Sequence, residues 1–155
     1  MKKTKIFSGF LTLLGFGIII ILMTSCDKET PYEKEQAAIS EYLENNNITV
    51  EPQYSGLYYI ETKAGTGASA DGGDRVRVKY TGTFLDGEEF DSGVYTFTIG
   101  RQEVIRGWDE GISYMNEGGT AILLIPSTLA YGPYGTNGIP GYTPLLFEVE
   151  LLDIL

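Results

Sequence analysis

From Arg75 to Tyr80 the chain alternates without a break, with Val76, Val78 and Tyr80 on one side of an extended backbone and Arg75, Arg77 and Lys79 on the other. Successive side chains of a strand point to opposite faces, so this segment can bury only one face and belongs in a sheet that covers a core. The same period returns at Tyr95, Phe97 and Ile99, and again at Leu145, Phe147, Val149 and Leu151. Residues 57–60 and 120–125 are short β-prone runs, and Asp86-Gly87 is a turn dipeptide. After residue 54 one segment has helical spacing: Val104, Ile105, Trp108, Ile112 and Met115 recur near every third or fourth position, while Glu103, Arg106, Asp109 and Glu110 take other faces. The pattern predicts an α+β fold over residues 54–155, an antiparallel sheet of about five strands with one short helix laid across it.

Residues 126–144 carry no regular period and are long for a connection inside a compact domain. They contain Tyr131, Tyr134, Tyr142 and Ile139. Such apolar content argues for an ordered loop that walls a pocket rather than for disorder.

The N-terminal region is of a different kind. Residues 1–25 hold Lys2, Lys3 and Lys5, no acid, and an apolar run over residues 6–23, which is the layout of an export signal. Met23-Thr24-Ser25-Cys26 closes the run and resembles a bacterial lipobox, in which the cysteine thiol receives a diacylglyceryl group and becomes the new N-terminus. An uncleaved membrane anchor is the alternative, since the run is barely long enough to span a bilayer. Residues 26–53 are acidic and predict a tether with a short amphipathic helix at about residues 32–44, where Ile39, Tyr42 and Leu43 share a stripe and Asn45-Asn46-Asn47 ends it. A spacer is expected here in preference to a docking or dimerisation helix.

Composition narrows the chemistry. With no histidine and one cysteine, the chain offers no Ser-His-Asp triad, no internal disulfide and no imidazole-ligated zinc, and no metal or cofactor is expected. The formal charge of -10 speaks against a nucleic-acid partner, and loss of residues 1–25 removes three cations and no anions, taking it to -13. Carboxylates, hydroxyls, aromatic rings and backbone groups are what remain.

Five blocks then stand in order: Val78-Lys79-Tyr80-Thr81-Gly82, Asp86-Gly87-Glu88-Glu89-Phe90-Asp91-Ser92, Gly100 through Val104-Ile105-Arg106-Gly107-Trp108-Asp109-Glu110-Gly111, Ala130-Tyr131-Gly132, and Leu145-Leu146-Phe147-Glu148-Val149-Glu150-Leu151. In these the chain resembles the FKBP-type peptidyl-prolyl cis-trans isomerases, in a lipoprotein form similar to envelope proteins of gliding bacteria. The resemblance implies a half-barrel-like antiparallel sheet wrapped on one short helix. It implies a proline pocket in which Tyr80, Phe90, Asp91, Ile105, Trp108 and Tyr131 carry catalysis, with Trp108 as the floor and the Ile105 N–H and Tyr131 hydroxyl holding peptide carbonyls. Tyr95, Phe97, Val104, Ile139 and Phe147 would complete the substrate-binding wall. Proline-containing polypeptides are the implied substrates, an FK506-like macrolide the implied inhibitor, and Cys26 the implied link to the membrane of the cell envelope, with the domain outside the cytoplasm. A weakly active peptide-binding chaperone or accessory subunit on the same fold is the alternative.

Two departures stand out against that pattern. Only Ser92-Gly93-Val94 separate Asp91 from Tyr95, where many relatives carry a longer bulge with an Arg for the aspartate. Ile139-Pro140 stands where an isoleucine pair is common. The implied reaction suits the limited chemistry: rotation about an X-Pro bond breaks no covalent bond, and a twisted amide with lost resonance is favoured by an apolar cavity.

Overall fold

The computed structural model describes residues 28–155. The expectations for the export signal and Cys26 lie outside the described residues. The elements run α1 (Pro31–Asn45), β1 (Tyr58–Lys63), β2 (Arg75–Thr83), β3 (Glu89–Thr98), α2 (Arg106–Ile112), β4 (Thr120–Ile125), a 3-10 turn (Ser127–Leu129) and β5 (Leu145–Ile154). The five strands form one antiparallel sheet in the order β1-β4-β5-β2-β3.

Alternation decides the two faces. Val76 and Val78 of β2, Phe97 of β3, Leu123 and Ile125 of β4, and Leu145, Phe147, Val149 and Leu151 of β5 are buried together with Trp108 and Ile112 of α2. The helix lies close on β4 because Gly107 and Gly111 face it. A Cβ on Gly107 would stand 2.5 Å from the Ile125 side chain, and one on Gly111 2.7 Å from Leu123. The helix is also shorter than its periodicity predicts: Ile105 is its extended N-cap, with φ -61° and ψ 149°, and Val104 precedes it. These two residues thereby face the cavity described below instead of belonging to a helix.

The opposite face of the sheet holds the main correction. The segment expected to be a spacer forms α1, which begins at a Thr30 and Glu33 capping box with Pro31 in the first turn. The helix is docked: Ile39 is 1% exposed and clusters with Leu124 and Leu146, and Tyr42, Leu43, Tyr58, Leu85 and Ile122 pack around these three. Burying an isoleucine fully contributes roughly 1.5–3 kcal/mol. The stripe at positions 39, 42 and 43 therefore closes a second, smaller core.

Candidate active site

A cavity of about 230 Å³ opens between the β2–β3 edge and the start of α2, lined by Tyr80, Phe90, Asp91, Tyr95, Glu103, Val104, Ile105, Trp108, Tyr131 and Phe147. Each element contributes for a local reason. Tyr80 continues the buried face of β2, and Phe147 lies across from Gly82 in the β2–β5 register. A side chain at Gly82 would strike both Phe147 and Phe90 at 2.8 Å, so this glycine leaves room for two aromatic walls.

Phe90 and Asp91 are neighbours in sequence and would point to opposite faces of a regular strand. In the β2–β3 ladder Gly82 pairs with Asp91 and Thr83 with Glu89, which leaves Phe90 as an extra residue at a register shift. The bulge lets both side chains line the cavity.

Trp108 is 5% exposed, and its ring stands edge to face with Tyr80 (centroids 5.0 Å apart) and with Phe147 (5.3 Å). Phe90 and Phe147 are likewise nearly perpendicular at 5.5 Å. Such pairs add roughly 0.5–1.5 kcal/mol each beyond area burial, which makes the wall rigid as well as apolar. The Trp108 indole N–H is buried without an acceptor among the described residues.

The polar part of the site is small. The Tyr80 hydroxyl donates to Asp91 Oδ2 at 2.8 Å. Burial pushes the Tyr80 phenol up to about 12, with the hydrogen bond and charge of Asp91 adding to it. Tyr131 is also raised, by burial first and then by the Asp91 carboxylate. Both phenols are neutral over the physiological range and available as hydrogen-bond donors.

Phe97 and Ile139 are not among the lining residues. Phe97 is buried behind the floor, its ring 5.9 Å from Trp108, and Ile139 packs into the core from the 126–144 loop. They support the pocket from behind, because β3 has its Phe97 end under α2 and the loop folds Ile139 inward through mutual backbone bonds with Thr136. The family resemblance assigns both to the substrate-binding wall, and a match of residue types has no means of separating the surface of an apolar cluster from its interior.

Two carboxylates were missed as contributors. Glu103 lines the cavity directly. Asp109 accepts from the Gly100 N–H (2.9 Å) and the Gln102 N–H (3.2 Å), fixing the turn that delivers Val104 and Ile105. Gln102 has φ 58°, a left-handed conformation that the Asp109 carboxylate helps to hold by accepting from its own N–H and from that of Gly100. The position of Asp109 three residues into α2's sequence block was the available signal. A wider groove of about 820 Å³ continues from the cavity past Gln102, Arg106 and Glu110, sharing Glu103, Val104, Ile105 and Tyr131 with it.

Residues 67–152 match the family model of the FKBP-type peptidyl-prolyl cis-trans isomerases. The chain is 42% identical over 151 residues to the FKBP-type peptidyl-prolyl cis-trans isomerase FkpA of Escherichia coli K12, covering 92% of this chain and 55% of that protein. It is 40% identical over 139 residues to FkpA of Aeromonas hydrophila, covering 85% and 51%. Among solved structures it is similar to FkpA from Escherichia coli, with a TM-score of 0.70 at 38% identity over 78% of this chain and 59% of that one. A peptidyl-prolyl cis-trans isomerase of Pseudomonas syringae aligns with a TM-score of 0.69 at 32% identity, covering 82% of this chain and 98% of that one. The chain spans about half the length of these two curated FkpA relatives.

Proposed function

The chain belongs to the FKBP-type peptidyl-prolyl cis-trans isomerase family, and from that we propose that it isomerises X-Pro bonds in the cavity floored by Trp108. The observation that carries this reading is the cavity itself: aromatic walls from Tyr80, Phe90, Trp108 and Phe147 around a space of about 230 Å³, with the carboxylates of Asp91 and Glu103 also in its lining. A proline ring fits within such a space, and the barrier to be lowered is that of amide rotation, about 18–20 kcal/mol.

The planar amide has a strong dipole that water stabilises. At the twisted transition state the nitrogen keeps its lone pair and the carbonyl carries less charge, so transfer into an apolar cavity penalises the ground state more. Every ~1.4 kcal/mol of that difference gives about tenfold in rate. The Ile105 N–H is not used in any backbone bond among the described residues, and Tyr131 lines the cavity; in this reading the Ile105 N–H and the Tyr131 hydroxyl hold carbonyls flanking the proline. Asp91 keeps Tyr80 oriented and acts as no base. An FK506-like macrolide would compete for the same aromatic walls.

The wider reading is an exported enzyme of the cell envelope, lipidated at Cys26 and acting on polypeptides outside the cytoplasm. Docking of α1 sharpens it. Residues 27–30 separate Cys26 from Pro31, so the acyl group would lie within about 20 Å of the folded unit, and the pocket would work close to the bilayer surface.

A protease-coupled assay on a Leu-Pro tetrapeptide tests the activity: acceleration that an FK506-like macrolide suppresses is expected, and a rate equal to the spontaneous one would refute it. Mass spectrometry of the N-terminal peptide tests the anchor. A diacylated Cys26 is expected, and an intact Met1 with a free thiol would overturn it.

A further inference from the structure

Glu35 is a buried carboxylate that the proposed reaction does not use. It sits on α1, on the sheet face away from the cavity, and is 3% exposed. Both of its oxygens are taken by one residue 92 positions away: the Ser127 N–H donates to Oε1 at 2.5 Å and the Ser127 hydroxyl to Oε2 at 2.7 Å. Ser127, itself 2% exposed, opens the 3-10 turn that leads into the 126–144 loop. Its carbonyl accepts from the Ala130 N–H at 2.9 Å and the Gly132 N–H at 2.8 Å. Those two amides flank Tyr131, which lines the cavity.

A buried carboxylate costs several kcal/mol unless its hydrogen bonds are complete, and an apolar residue would be cheaper wherever packing alone were needed. Two parallel bonds to a single residue fix that residue's orientation as well as its distance. We propose that Glu35 is a positioning residue for isomerisation: it clamps Ser127, and through the Ser127 carbonyl it sets the backbone on either side of Tyr131, so that the docked N-terminal helix holds the mouth of the pocket in register. The inference rests on the isomerase reading above. It assigns α1 a task that its amphipathic stripe alone does not supply, because the apolar cluster that holds Ile39, Tyr42 and Leu43 contains no residue of this loop.

The test uses the full chain with Glu35→Ala, Glu35→Gln and Ser127→Ala, each alone and in a Tyr131→Phe background. Assays run at a temperature where circular dichroism shows every variant folded. Glu35→Ala is expected to lower kcat/KM about tenfold, as misplacing a contacting group does. Glu35→Gln, which keeps one acceptor, recovers part of it, and the Glu35→Ala effect shrinks toward nothing once Tyr131 is Phe. Hydrogen exchange should quicken at Ala130 and Gly132 while β4 and β5 stay protected. An unchanged kcat/KM in Glu35→Ala, or the same loss with Tyr131 and with Phe at that position, would overturn the proposal. If Glu35→Ala does not fold, Ser127→Ala, which removes one donor, carries the same comparison. A wild-type chain without isomerase activity would refute the earlier reading instead, and the exchange measurement would still decide whether Glu35 braces the loop.

Discussion

The Tyr80 hydroxyl donates a 2.8 Å hydrogen bond to Asp91 across two paired strands, on a diagonal where Gly93 lies opposite Tyr80 and Gly82 opposite Asp91. The two glycines leave this bond free of neighbouring side chains on the facing positions. Hydrogen bonds to charged groups are worth roughly 1.5–3 kcal/mol. Asp91→Ala is therefore expected to reduce kcat/KM by about tenfold to a hundredfold, with the circular dichroism of the fold unchanged. Activity equal to wild type in the coupled assay would remove Asp91 from the site.

The same bond predicts a pH dependence at the alkaline end. Tyr80 is raised from 10 to about 12 in the folded chain. A raised folded value means stability that is fully present below pH 10 and is lost as pH rises from 10 through 12. Denaturant midpoints measured across that window should fall less steeply in Tyr80→Phe than in wild type, and equal slopes would show that Tyr80 is not held neutral by its surroundings.

Trp108 is the chain's one tryptophan and forms part of the cavity wall. Binding of a proline-containing peptide or an FK506-like macrolide is expected to change its emission saturably, and Phe90→Ala should weaken that response. Emission indifferent to ligand while isomerisation proceeds would place the substrate elsewhere.

Gly107 is required by contact, since its Cβ would meet the Ile125 side chain at 2.5 Å. Overpacking of this kind costs about 1–3 kcal/mol. Gly107→Ala should lower the urea midpoint accordingly, with an exposed position such as Ser40→Ala as the neutral comparison; equal midpoints would mean that α2 can lift from β4 freely.

Ile39 tests the docked helix. Truncation of a fully buried isoleucine costs about 2–5 kcal/mol, whereas the same change in a free spacer costs nothing. Ile39→Ala is expected to lower the unfolding free energy by that amount, read as a fall in the global denaturation midpoint, and an unchanged midpoint would restore the spacer reading.

The strands were legible because their period is local. Val76 and Val78, or Phe147 and Val149, announce one buried face whatever lies against it, and the ordered blocks around Tyr80, Trp108 and Tyr131 named most of the cavity wall. The end of α1 at the asparagine run was readable for the same reason. The fate of α1 was not. A stripe of Ile39, Tyr42 and Leu43 states that a helix has an apolar side, and it says nothing about whether a partner surface exists; Leu124 and Leu146 supply one only after β4 and β5 pair.

What the sequence by itself determined is the main elements, the face each strand buries and the chemistry left to a chain with no histidine and one cysteine. The tertiary structure decided which aromatic groups face the cavity and which stand behind it. Phe90 reaches the wall through a register shift between strands, Phe97 is hidden under Trp108, and Glu35 meets Ser127 across 92 residues. Periodicity is a property of neighbours along the chain, while a ladder's register and a buried carboxylate's donors are relations between segments that only folding brings together.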